Sequence, residues 1–200
     1  MALIVATYDF SPNSLSLWKY WDELKEKHPK LQVTVGVVPV FKGHYNYTVN
    51  LNPEFKEWYK NHNDWVHVVQ QGCYHFPNEC LKFYKTQKKL IKSGYRKLRR
   101  IMPKDVYLFK APFDRMNNNT IQVLKELGYS AIIYHNQILY LKPILIETPP
   151  FDIIETYTNI EEHKPNNIHL IFEELDTQLE NYDSIGEYTN FNDFVRGILK

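Results

Sequence analysis

Cysteine is scarce in this sequence: Cys73 and Cys80 are the two it has among 200 residues. Two thiols are too few for a disulfide scaffold, and nothing argues for an oxidising compartment. Long apolar runs are missing as well. None approaches the ~20 residues that cross a bilayer, and the opening run, Ala2 to Ala6, has neither a basic flank nor a small-residue cleavage site. No secretory leader and no membrane partner are expected, and the expected location is cytoplasmic. Net charge is nearly absent too, with 24 Lys and Arg against 23 Asp and Glu, a formal +1. That balance removes any global electrostatic case for nucleic acid. Internal repeats and low-complexity linkers are lacking, and a chain of this length is sized for a single domain over residues 1–200. Rings are abundant: 15 Tyr, 11 Phe and 4 Trp. With 44% hydrophobic and 24% charged residues the composition is globular rather than disordered.

The neutral total hides an asymmetry. Residues 82–104 carry ten Lys or Arg and no acid, whereas residues 147–200 carry twelve Asp or Glu against Lys164, Arg196 and Lys200. Such a basic block reads first as a solvated helix face balanced by acids elsewhere in the domain. Contact with phosphate backbones or anionic lipid is the alternative it carries.

Periodicity predicts alternating strands and helices. Residues 2–8 (ALIVATY) and 31–38 (LQVTVGVV) are continuous apolar or β-branched runs, as in strands covered on both faces. Further strands are expected at 65–70, 106–110, 130–134, 138–141 and 168–172. Helices are expected at 15–27, 53–61, 78–101 with a break at Ser93-Gly94, 119–127 closed by Gly128, and 173–181. This alternation implies an α/β fold with a mostly parallel sheet, open or closed into a barrel. In such folds the working residues sit at the C-terminal ends of strands, a rule that nominates Asp9, His75, residues 110–114 and His169.

Each nominee has two readings. Asp9 is a metal ligand or general base, or with Ser11 and Pro12 it builds an Asx-type turn. His75 is a candidate imidazole ligand, but the residue four positions before it is Gln71, a poor ligand, so the His pair of a strong metal signature is incomplete. Cys73 and Cys80 read as buried thiols. Lys110 is placed to hold a carboxylate, with Asp114 or Arg115 toward a substrate; the same stretch also reads as a strand-to-helix elbow. His169, in an apolar run, reads as a core residue or a catalyst. The rings of residues 41–47, with Trp58, Tyr59 and Trp65, form a sugar-stacking wall or simply pack.

Taken together, four segments resemble the polysaccharide deacetylase (NodB-homology) family, especially its short, often phage-borne members. They are TYDFSP (7–12), HPKLQVTVGVVPVFKGH (28–44), QGCYHFPNEC (71–80) and FKAPFDRMNNNTIQVLKELGY (109–129), in family order over residues 2–135. The resemblance implies a distorted (β/α) barrel of the NodB type. It also implies one divalent metal, usually zinc, held by an Asp and two His, an adjacent Asp as base, and a late His as acid, for hydrolysis of acetyl groups on a saccharide. Carried over residue by residue, the metal positions are Asp9, Gln71 and His75, the catalytic positions are Asp9, Lys110 and His169, and Tyr8, Tyr74, Pro112, Phe113 and Asp114 line the substrate. Laid on Asp-Asp-Phe-Ser, Asp9 takes the ligand position and Tyr8 replaces the base. Laid on Thr-Phe-Asp-Asp, Asp9 is the base and Phe10 replaces the ligand. Either way one family Asp is gone, Gln71 replaces a His, and Lys110 replaces an Arg with loss of its bidentate fork. The expectation is a deacetylase-like protein with an eroded metal site: a hydrolase with rearranged chemistry, or a barrel that binds a saccharide, a related small molecule or a partner without turnover.

Overall fold

Every residue from Leu3 to Phe10 is buried, as only a strand covered on both faces can be. This segment is β1 (Ala2–Phe10), which pairs with three other strands. The computed structural model describes residues 2–102, 107–135, 137–142, 151–157, 165–183 and 187–198. Its other strands are β2 (Val33–Val37), β3 (Val66–Gln71), β4 (Leu108–Lys110), β5 (Ala131–Tyr134), β6 (Gln137–Tyr140), β7 (Phe151–Tyr157) and β8 (Glu187–Thr189). They make one curled half-barrel sheet in the order β6-β5-β4-β3-β2-β1-β7. The first half of β1, Ala2 to Ile4, also pairs with β8, while Val5 to Phe10 pair with β2. All pairings are parallel except the β5–β6 hairpin. The parallel pairs align the C-terminal ends of β1 to β4 along one rim, where the strand-end rule places function.

Helices α1 (Trp18–Lys27), α2 (Pro53–His62), α3 (Tyr84–Leu98) and α4 (Asn118–Glu126) cover the sheet as crossovers. Their boundaries follow local chemistry. Asn52 caps α2 through the Phe55 N–H, and Pro53 supplies its first turn. Asn117 and Thr120 close a capping box on α4, one residue earlier than the apolar periodicity suggests. Gly94 does not break α3. A Cβ there would lie 2.6 Å from Gln70 Nε2 and 2.9 Å from the Gly72 carbonyl oxygen, so the missing side chain lets the helix rest directly on the end of β3. Phe41–Gly43 and Tyr45–Tyr47 form short 3₁₀ turns between β2 and α2.

The aromatic excess is mostly core. Phe10, Trp18 and Trp58 meet with ring centroids 4.6 to 5.0 Å apart, and Tyr59 and Trp65 are buried in the same cluster. A sugar-stacking wall built from Trp58, Tyr59 and Trp65 is thereby excluded.

The C-terminal third departs most from the sequence reading. Residues 168–172 are not a strand: they lie in α5 (Pro165–Asp183), followed by β8 and α6 (Phe191–Ile198). The run IHLIF is short and apolar apart from His169, so it carries no clear period of its own. Phe172, Leu175 and Leu179 are buried at helical spacing and settle it as helix. His169 therefore does not stand at a strand end, and its side chain lies outside the described residues. Strand β7 has no counterpart among the strands that periodicity predicts, although it pairs along β1 from Ala2 to Tyr8.

His28, at the end of α1, ties this third to the rest. Its Nε2 is 2.8 Å from Asp176 Oδ1 and its Nδ1 2.5 Å from Asp183 Oδ2, both on α5. Burial disfavours the imidazolium, but the hydrogen bonds to Asp183 and Asp176 outweigh it and raise the pKa above 6.5. For Asp176, and for Asp183, burial is likewise overcome, by bonds to Lys27 and His28 and to His28 and Tyr188 respectively, so both fall below 3.8. The His contribution is complete below pH 6.5 and is lost as pH rises through the folded value. The Asp contributions are complete above pH 3.8 and are lost on acidification. Melting temperature should therefore peak between those limits and fall toward mild alkali. Thermal melts of His28→Gln should show that alkaline decline abolished; an unchanged decline would refute the assignment.

Candidate functional site

Three strand ends on the rim carry the candidate residues. β1 carries Asp9 one residue before its end, β3 finishes on Gln71 with Gly72 and His75 just beyond, and β4 on Lys110, followed by the 3₁₀ turn Pro112–Asp114. The backbone is sharply turned at each place: Asp9 has φ 63°, Gly72 56°, His75 61°, Phe113 56° and Asp114 49°. β2 lies between β1 and β3, and Gly36 on it is the residue that lets their side chains meet. A Cβ at 36 would stand 2.5 Å from Tyr8 Cδ1 and 2.8 Å from Gln71 Oε1.

Asp9 and Gln71 are locked face to face. The Gln71 Oε1 accepts the Asp9 backbone N–H at 2.7 Å, and Gln71 Nε2 donates to Asp9 Oδ1 at 2.6 Å. Both ends of the amide are satisfied in one orientation, and a flipped amide would set N–H against N–H. His75 Nε2 lies 3.3 Å from the same Asp9 oxygen. The imidazole is sandwiched between Phe113, centroids 4.6 Å apart, and Phe41 at 6.1 Å. Asp9, Gln71 and His75 are all buried, whereas Phe113 is 46% exposed and forms the outer lip.

Lys110 holds a carboxylate, as the sequence suggests. Its Nζ is 2.9 Å from Asp114 Oδ1 and 3.1 Å from Oδ2, and it stands 4.4 Å over the Tyr8 ring. Both Lys110 and Tyr8 are fully buried. Tyr74 is half-buried and Pro112 is buried against Gly72, where a Cβ would meet Pro112 Cγ at 2.5 Å.

Two residues escape the sequence reading. His135 Nδ1 approaches Asp114 Oδ2 at 3.8 Å from the end of β5. Glu79 is 1% exposed and accepts backbone N–H groups of Cys73, Tyr74 (2.9 Å) and Phe76 (3.4 Å). Burial keeps its carboxyl above the usual range in spite of those bonds. It is the only acid between Asp64 and Asp105, the one sequence signal that marks it. The two thiols are inert: burial, then Glu79, pushes Cys73 up to about 12, and burial pushes Cys80 higher still.

Across 97% of its length the chain superposes on a CE4 family pseudoenzyme from Bacillus anthracis, with TM-score 0.68 and 13% identity. The fold is that of the CE4 polysaccharide deacetylases. The chain spans 65% of the length of that pseudoenzyme. A peptidoglycan N-acetylglucosamine deacetylase in complex with a naphthalenyl N-oxidanyl-benzamide matches over 96% of this chain and 87% of its own, with TM-score 0.68 and 9% identity. A family 4 acetyl xylan esterase from Clostridium thermocellum, in complex with a cobalt ion, matches over 99% and 93%, with TM-score 0.63 and 9% identity. No protein-family model and no curated relative matches the sequence.

A CE4 site raises the question of a metal. Catalytic zinc takes three protein ligands and an open position. Among the described residues no three His, Cys, Asp or Glu side chains converge to hold an ion. The nearest set is Asp9 and His75 with Gln71, and the Gln71 oxygen already accepts the Asp9 N–H. These donors do not fit a catalytic zinc.

Proposed function

We propose that this chain is a deacetylase-like protein whose rim at Asp9, His75 and Phe113 binds an acetylated saccharide without turning it over. The observation that carries this reading is the reciprocal pair of hydrogen bonds between Asp9 and Gln71. The amide N–H takes one acceptor site of the Asp9 carboxylate and competes there with a cation, so the same two positions serve to rigidify the pocket floor. Tyr8, where one alignment places a family carboxylate, is fully buried beneath Lys110 and offers no basic oxygen of comparable strength. What remains suits recognition. Phe113 and the half-buried Tyr74 supply ring faces for a pyranose, and Asp114, held by the buried Lys110, supplies an acceptor beside them.

The test is elemental analysis of protein purified without added metal, an acetate-release assay on chitooligosaccharides and acetylated xylan, and calorimetry with the same saccharides. Expected are no stoichiometric metal, no acetate, and saccharide binding that weakens about tenfold, roughly 1.4 kcal/mol, in Phe113→Ala. Stoichiometric zinc lost in His75→Ala together with acetate release would overturn the reading in favour of a hydrolase. Absence of saccharide binding would overturn it in favour of a partner-binding barrel.

A further inference from the structure

Much of the basic run of residues 82–104 is the solvated face it reads as, with Lys89, Lys92, Arg96 and Arg100 exposed, and part of that face borders a cavity. Lys89, Lys92, Arg96, Lys97 and Arg100 fall at helical spacing and line one wall of a cavity of about 460 Å³ between α3 and the segment around Asn50. No acid lines it. Elsewhere on α3 a cation does find an acid, since Lys88 pairs with Glu126. Among the described residues none of the five lining cations makes an ion pair, although the chain holds 23 Asp and Glu. Lys92 and Arg96 stand four residues apart on α3, a spacing at which like charges repel along a helix, and Arg100 follows in the turn just past its end.

Asn50 supplies an independent pointer. The residue is 8% exposed and lines the same cavity, yet its Oδ1 is buried without a hydrogen-bond partner among the described residues. Buried polar groups are nearly always satisfied. An amide also presents its two N–H donors after a half-turn about its last bond, and those donors suit an anion. The volume lies within the range of small-molecule sites. It is also concave, whereas an extended polyanion needs a long open surface, and this protein's net charge is only +1.

We infer that this cavity binds a compact polyanion carrying two or more phosphate-type groups. Lys92, Arg96 and Arg100 meet the phosphate oxygens and Asn50 donates from the floor. The site lies on the outer flank of α3, whose inner side at Gly94 contacts Gly72, and it does not depend on any chemistry at Asp9 or His75.

The probe is inorganic tripolyphosphate, titrated calorimetrically into the intact chain at low and raised salt. Expected is one-to-one binding that weakens on raising salt from about 50 to about 200 mM. Arg96→Gln should weaken it about tenfold. Asn50→Asp, which sets a carboxylate of nearly the same shape into the floor, should weaken it at least as much, while Lys19→Gln on α1 changes nothing. Melting curves establish that each variant is folded, and Arg96→Gln, on the helix surface, carries the test if Asn50→Asp is not. Absence of binding, or binding that Lys19→Gln weakens as much as Arg96→Gln, would overturn the inference. So would tighter binding of a 20-base-pair DNA duplex or of anionic vesicles that Asn50→Asp leaves intact.

Discussion

Gln71→His is expected to raise zinc affinity about 100-fold. Structural zinc sites are worth roughly 10–16 kcal/mol over four ligands, so one added imidazole should contribute about 3 kcal/mol, or two powers of ten. The substitution acts twice at one place. It supplies a third protein ligand beside Asp9 and His75, and it deletes the amide that now donates to Asp9 Oδ1 at 2.6 Å. Gly36 leaves room for a ring at 71, since a Cβ on residue 36 would stand only 2.8 Å from the present Gln71 Oε1. Competition against a chromophoric chelator measures the change, and an affinity within about threefold of the native chain would refute the blocking role of the Gln71 amide. Gain of metal should not by itself bring efficient acetate release, because Tyr8 remains in place and a positioned general base is worth about 10²–10⁴ in rate.

Glu79→Ala should be the most damaging single truncation at the site. It leaves three N–H groups of the 73–76 loop without their acceptor, the Cys73 one buried and the other two part-buried, at about 1–3 kcal/mol for a buried group and less for the others. A loss of ~3 kcal/mol lowers the melting temperature of a chain this size by roughly 6–12 °C. Glu79→Gln keeps one acceptor oxygen and should lose about half as much. The loop also holds His75 at φ 61°, so Glu79 positions the imidazole against Asp9 and Phe113 without touching a ligand itself. Urea unfolding of the two variants measures the order, and a deficit below ~1 kcal/mol for Glu79→Ala would show that water or relaxation replaces the carboxylate.

The central strands and the rim are legible in the sequence because their signals are local. The run at 2–8 is apolar throughout, and a strand buried on both faces needs nothing more. Asp9 follows such a run directly, Lys110 closes the run at 106–110 and His75 lies five residues past the run at 65–70, and the strand-end rule brings them together without knowledge of the register. The meaning of Gln71 is not legible. As a letter it is a missing His; in space it is the hydrogen-bond partner of a residue 62 positions away. Gly36 is opaque for the same reason, since its role is to be absent between Tyr8 and Gln71. The C-terminal third fails differently. Residues 168–172 are too short and, apart from His169, too evenly apolar to separate strand from helix, and β7 has acids at 152 and 155 within an acidic stretch, which masks its pairing with β1.

The turned backbone at Asp9, His75, Phe113 and Asp114 has a consequence for thermal tolerance. Each of these side chains holds a left-handed conformation that disfavours anything but glycine, at about 1 kcal/mol or more apiece. Together they withhold some 4 kcal/mol from a molecule whose whole margin against unfolding is of the order of 5–15 kcal/mol. Phe113 concentrates the conflict, since a glycine in its place would relax the chain and in the same act delete the ring that covers His75. Heat resistance and ligand recognition are thus exchanged against one another at a single residue on the lip of the site.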